Sequence, residues 1–187
     1  MAEEDPQQVN SFVQWRHAPA SRWIFCPLCG EKLTDHIWDG KMRRYCTHCG
    51  FVYWERPLPA AAAVILDATN QQVVIVTRRF PPKIGGKTLP GGGVEAGESV
   101  EHAVIREVEE ETGLIVAVDK EIGTWSTPSQ ETIISFYLTH PVSGMLQAGT
   151  DALSAEWYAL DKLPVLDFDL HQNVMEQIQK EWADHKL

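Results

Sequence analysis

The chain has 187 residues, a net charge of −10 and a hydrophobic share of 44%, enough for one ordinary domain plus a small module with a real core. That acidic balance argues against a nucleic-acid partner held by bulk electrostatics. No apolar run approaches the ~20 residues a membrane helix needs, and the acidic, polar start MAEEDPQQVN is not a signal peptide, so a cytoplasmic location is expected.

Residues 1–20 read as a loose tail with one apolar anchor, Phe12, Val13 and Trp15. That anchor can dock on the body or on a second subunit, so a homodimer is a candidate assembly. From 21 to 56 the chain is short on aliphatics and carries the four cysteines, ending in the linker ERPLP, where proline breaks regular structure. The segments AAAAVILDA (60–68) and QQVVIVTRR (71–79) predict two strands. FPPKIGGKTLPGGG (80–93) predicts loop throughout. Ser99 is placed to cap a helix over about 100–112, ended by Gly113, with Val100, Val104 and Val108 as its apolar stripe. LIVAVDKEIGTW, ETIISFYLTH and AEWYALDKLP read as strands, and 170–184 as a C-terminal helix. This order suggests an α/β (α+β) sandwich rather than a bundle. The expected division is a tail (1–20), a cysteine module (21–56) and a larger domain (57–187).

The cysteines form two CxxC pairs, Cys26/Cys29 and Cys46/Cys49, sixteen residues apart, each pair followed by a glycine. Two such knuckles make an all-thiolate tetrahedral site for Zn2+ with no open position, hence structural rather than catalytic. His48 lies between ligands and need not bind. The module is expected to prop the larger domain, despite Arg43 and Arg44.

The predicted helix at 100–112 carries Glu107, Glu109, Glu110 and Glu111. At about 100° per residue, Glu107, Glu110 and Glu111 fall within roughly a 100° arc and Glu109 faces away. Such an arc is either a solvated helix face or a set of hard oxygen ligands for Mg2+ or Mn2+, since uncompensated carboxylates raise one another's pKa. Gly91, Gly92 and Gly93 allow close approach of the backbone to that site.

The spacing Gly92, five residues, Glu98, seven residues, then Arg106-Glu107-Val108-Glu109-Glu110-Glu111-Thr112-Gly113-Leu114 resembles the Nudix box, with no departure from its pattern. The resemblance covers about residues 57–160 and is strongest at 86–116. It implies a Nudix α/β/α sandwich with a mixed sheet and a metal-dependent pyrophosphohydrolase acting on small-molecule nucleotides. By resemblance, Glu107, Glu110 and Glu111 match the divalent-metal ligands, the Gly91 carbonyl a further ligand, and Glu98 and Arg106 the pair that orients them. A zinc ribbon ahead of such a domain is similar to NADH pyrophosphatases and to a shorter group that includes FAD and ADP-ribose pyrophosphatases. The stretch TWSTPSQETIISF lacks the S-Q-P-W-P-F-P-x-S motif of the NADH group, which favours FAD or ADP-ribose. NADH and oxidised nucleoside triphosphates are the alternative substrates, and a non-catalytic nucleotide- or RNA-binding module is the alternative of another class.

Outside the box, Arg78, Arg79, Lys83 and Lys87 are candidate phosphate-holding cations. Glu131 is the candidate external base, with Glu95 and Glu121 competing, and Trp125, Phe136 and Trp157 are candidates for stacking a base.

Overall fold

The computed structural model describes residues 23–129 and 131–184. The expected N-terminal tail, and Gln130, lie outside the described residues. The chain divides between Arg56 and Pro57 into two compact units.

The first unit holds β1 (Thr34–Trp38), β2 (Lys41–Tyr45) and β3 (Val52–Tyr53), an antiparallel meander in the order β1-β2-β3. Its buried core is small: Cys26, Leu33 and Cys46, flanked by Trp23 and Phe51. The two CxxC knuckles repeat one geometry. Gly30 N donates to Cys26 O and Gly50 N to Cys46 O, both at 2.9 Å, and both glycines sit at φ +78, a left-handed turn that a side chain would strain.

The second unit contains β4 (Leu58–Ile65), β5 (Gln72–Arg78), β6 (Lys87–Thr88), β7 (Gly91–Gly93), α1 (Val100–Thr112), β8 (Leu114–Ser126), β9 (Thr132–Gly144), β10 (Ala152–Ala159) and α2 (Asp169–Ala183). A mixed sheet runs β7-β4-β9-β8, with β4 and β9 parallel, and a second runs β10-β5-β6. The apolar run of β4 is buried on both faces, as a central strand requires. Ala62, Val64 and Leu66 join a cluster with Val174, Met175 and Ile178 of α2. Ala61, Ala63 and Ile65 join one with Ala103, Val104 and Val108 of α1. The result is helix, sheet and helix in three layers. No helix among the described residues is long and apolar enough to cross a membrane.

Residues 80–93 are not loop throughout. Lys87 and Thr88 pair with Thr77 and Val76, and Gly91–Gly93 pairs with Ala62, Ala61 and Ala60. A strand is legible through side-chain alternation, and three glycines have none to alternate. They form a strand here because the alanines of β4 leave backbone hydrogen bonds available beside them.

Candidate metal and diphosphate site

Helix α1 starts where Ser99 accepts a bond from His102 N at 3.2 Å and ends at Gly113, whose N–H donates to Glu109 O. Its polar face carries the carboxylates. Glu111 is buried, and its Oε2 accepts from Gly91 N at 2.9 Å, which ties the end of the helix to β7. Glu107 lies directly over Gly92, where a Cβ would overlap its carboxylate and displace it. Glu110 is more than half exposed (55%), and Glu109 is exposed on the other side.

Arg106 organises the cluster. Its Nε and Nη2 grip Glu98 at 3.1 and 2.7 Å, Nη1 reaches Glu107 at 2.8 Å and Glu110 at 3.3 Å, and Nη2 also donates to Gly93 O at 3.0 Å. A planar guanidinium is suited to such a fork. Glu98 takes a further bond from Glu95 N at 2.7 Å. Those hydrogen bonds, Arg106 first, hold Glu98 down at about 2.

For Glu111 and Glu107 burial outweighs the neighbouring donors. Burial pushes Glu111 up to about 7, with Glu107 and Asp151 adding to the rise against the Gly91 N–H. Burial also raises Glu107, opposed by Arg106. Asp151 is a fourth carboxylate that bears on both. It sits just before β10, where Thr150 Oγ1 donates to its Oδ1 and Arg79 N to its carbonyl. No local pattern marks Asp151, because its neighbours come from the fold. A set of carboxylates with one arginine among them has the donor chemistry to hold a hard divalent cation.

The candidate cations separate into two groups. Arg79 is spent on Ala152 O (3.3 and 3.1 Å), and Lys87 on Tyr158 OH at 2.6 Å. Arg78 and Lys83 lie over the ring of Phe168, at 5.5 and 5.2 Å; Arg78 also donates to Pro82 O at 2.9 Å and Pro81 O at 3.4 Å, and Lys83 reaches Asp167 O. Phe168, Lys83, Thr127, Pro128, Ile134 and His171 line a cleft of about 230 Å³. Phe168 is a site candidate the sequence reading missed; its signal was an aromatic ring between two aspartates just before a helix. Trp125 pairs across the β8–β9 hairpin with Ile134, on the edge of this cleft. Phe136 is fully buried beneath it, meeting Trp125 edge-on at 5.8 Å, so it is core and offers no face to a base. Trp157 lines a different, larger cleft of about 440 Å³ with Asp67, Asn70, Asp119 and His140. That cleft holds two acids and no lysine or arginine, which suits phosphate poorly. Glu131 is exposed at the foot of β9, its carbonyl accepting from Leu58 N. Glu121 accepts from Thr124.

His171, at the floor of the Phe168 cleft, accepts at Nδ1 from Leu89 N at 3.3 Å and lies 2.8 Å from Thr88 Oγ1. Burial, and secondarily Arg78, pushes it down to about 4. The folded state therefore binds fewer protons than the unfolded one between pH ~6.5 and ~4, so stability is full above that window and falls as pH drops through it. From pH 7 to pH 5 the wild type is expected to lose about 2 kcal/mol more than His171→Gln in urea unfolding; equal losses would show that His171 is not the group responsible.

In the first unit, the four cysteine sulfurs lie within 4.8 Å of one another, with Cys26–Cys49 and Cys29–Cys46 at 3.5 Å. A zinc–sulfur length of about 2.3 Å requires tetrahedral edges of about 3.8 Å, which these separations bracket. The thiols are free of disulfides and could hold one Zn2+.

The NUDIX domain model matches residues 56–179. The chain belongs to the Nudix family. Nudix enzymes use divalent metals, in keeping with the carboxylate donor set of α1. An ADP-ribose pyrophosphatase of Methanocaldococcus jannaschii is 37% identical over 126 residues, covering 65% of this chain and 74% of that protein. A NAD-capped RNA hydrolase NudC of Vibrio atlanticus is 28% identical over 181 residues, covering 92% of this chain but 64% of that protein. The crystal structure of a Nudix hydrolase from Nitrosomonas europaea superposes with a TM-score of 0.80 at 20% identity, covering 86% of this chain and 92% of that one, a likeness of fold.

Proposed function

We propose that this Nudix protein hydrolyses the diphosphate of a nucleoside diphosphate linked to another moiety, with ADP-ribose and FAD as the leading substrates. The observation that carries the reading is the carboxylate set of α1 facing the glycines of β7: Glu111 on Gly91 N–H, Glu107 over Gly92, and Glu110 sharing with Glu107 the guanidinium of Arg106, which Glu98 holds. Glu107, Glu110, Glu111 and the Gly91 carbonyl would hold Mg2+ or Mn2+. The bound metal supplies neutralisation of the phosphate oxygens and a more acidic water. The chain's own part is to fix that donor set: Glu98 and Gly93 aim Arg106, and Arg106 aims Glu107 and Glu110. Glu107 and Asp151 are the carboxylates offered to accept the attacking water's proton. Arg78 and Lys83 bring positive charge beside Phe168, which presents a ring for the nucleobase. The cleft is smaller than the ~300–1,000 Å³ of typical ligand pockets, so it suits one ring system, with the rest of the substrate crossing to the carboxylates.

ADP-ribose takes first place because the relative named for it is 37% identical. NADH is the second reading, as a compound with an NAD-type diphosphate; a relative named as a NAD-capped RNA hydrolase aligns over 92% of the chain, which includes the cysteine module. That module, with Cys26, Cys29, Cys46 and Cys49 on one Zn2+, is proposed as structural. The deciding experiment is a panel of ADP-ribose, FAD, NADH and oxidised deoxynucleoside triphosphates with Mg2+ and Mn2+, products separated by chromatography. ADP-ribose or FAD should lead in kcat/KM. If NADH exceeds both by about tenfold, a difference of about 1.4 kcal/mol in transition-state binding, the substrate assignment fails and the hydrolytic chemistry stands. Absence of hydrolysis with every compound would favour a binding module.

A further inference from the structure

We propose that one face of the β1–β2–β3 sheet binds single-stranded RNA. Alternation along antiparallel strands places residues two apart on one face. By the pairings His36↔Arg43 and Trp38↔Lys41, with Thr34↔Tyr45, one face carries His36, Trp38, Lys41, Arg43 and Tyr45. The rings are assembled there: His36 lies 5.2 Å from Tyr45 and 6.0 Å from Trp38, and Trp38 stacks beside Tyr45 at 6.0 Å. Arg43 lies 4.8 Å over Trp54, just beyond β3. The opposite face carries the exposed Ile37 and Met42, and among the described residues no cation lies over a ring there. There Arg44 is consumed by Trp23 O, Leu33 O and Asp35. Two adjacent arginines thus have opposite fates.

Three features of the aromatic face point to a polyanion with flat rings. Trp38 and Trp54 are 41% and 39% exposed, although they are large apolar groups that a closed core would cover. Arg43 Nε is buried and finds no hydrogen-bond partner among the described residues, so the guanidinium is held there by the Trp54 ring and not by an acceptor at that atom. The charge also reverses locally. Pro57–Leu187 carries nine basic and nineteen acidic side chains, whereas residues 23–56 carry five and four, and the two cations on the face have no acid among the strand residues beside them. Asp39 lies in the β1–β2 turn and Glu55 follows Trp54. The bulk charge that disfavours a nucleic acid resides in the other unit. Interleaved aromatic rings and cations on an open sheet are a stacking platform for unpaired bases with charge for the phosphates between them. RNA is the favoured occupant because its loops and ends present unstacked bases, whereas duplex DNA hides them.

The inference stands apart from the diphosphate reading, since binding is measured without hydrolysis. The full-length zinc-loaded protein is titrated, without Mg2+ or Mn2+, against a fluorescently labelled ten-nucleotide single-stranded RNA, with duplex RNA and single-stranded DNA as separate arms. Binding of the single strand is expected, with log Kobs against log salt falling with a slope of about −1.4 for two cations on a single strand. Trp38→Ala and Arg43→Glu should each weaken binding by roughly tenfold, while zinc content and small-diphosphate hydrolysis stay at the wild-type level. Wild type that does not bind at low salt overturns the proposal, as do equal affinity for duplex, tighter binding of DNA than of RNA, or a salt slope near zero. If RNA binding is absent and Trp38→Ala converts a dimer to a monomer by sedimentation, the face is an interface between copies and the proposal is wrong.

Discussion

Glu110→Gln is expected to lower turnover by about 10²-fold or more at saturating Mg2+, while Glu109→Gln changes it by no more than about threefold. The size follows from removing one charged group where transition-state charge is stabilised. The contrast follows from geometry. The two residues are adjacent and both exposed, so neither supports the core, and surface changes of this kind shift stability by under ~0.5 kcal/mol. They differ in direction. Glu110 shares Arg106 with Glu107, accepting from Nη1 at 3.3 Å, while Glu109 points to the other side of α1. A glutamine at 110 keeps an acceptor for Arg106 and loses only the charge, so a large effect is electrostatic. The check is steady-state kinetics of both variants with ADP-ribose across a Mg2+ series, alongside thermal melts. Equal effects of the two substitutions would remove the basis for a one-sided carboxylate site.

The contrast between what the sequence disclosed and what it hid is physical. Helix α1 was legible because its Val100, Val104, Val108 stripe, its Ser99 cap and its Gly113 stop are all local. The spacing of Glu107, Glu110 and Glu111 on that helix followed from its turn alone. β7 was hidden because glycine carries no pattern. Asp151 and Phe168 were hidden for another reason: they lie 40 or more positions beyond the end of the three-glycine run and come to the site only through the packing of β10 and α2. Phe136 and Trp125 look alike in composition and share one face of the sheet, yet one is buried and the other part-exposed, since Phe136 lies on the inner strand β9 beside Ala62 and Trp125 near the end of the edge strand β8. Arg78 and Arg79 are likewise adjacent in sequence, but strand alternation sends one to Phe168 and the other to Ala152 O.

Removal of zinc is expected to unfold residues 23–56 locally. The purified protein should contain one Zn2+ per chain. Little else supports that unit. Its buried core is Cys26, Leu33 and Cys46, and burying one leucine is worth only about 1.5–3 kcal/mol. Against this stands an ordering cost of about 1.5 kcal/mol for each residue fixed. Modules below ~40 residues generally need a metal or disulfides, and these cysteines are free. Zinc bound by such thiolates supplies about 10–16 kcal/mol to folding, which exceeds anything else available there. Elemental analysis gives the stoichiometry, and hydrogen exchange before and after chelation gives the consequence. Cys46→Ser should lose the metal, and amides of β1 and β2 should then exchange freely. The amides of β4, in the separate core formed with α1 and α2, should keep their protection. Should the four thiols titrate freely in the native protein and the exchange pattern remain unchanged by chelation, the cysteines do not hold a structural zinc and the unit is supported some other way.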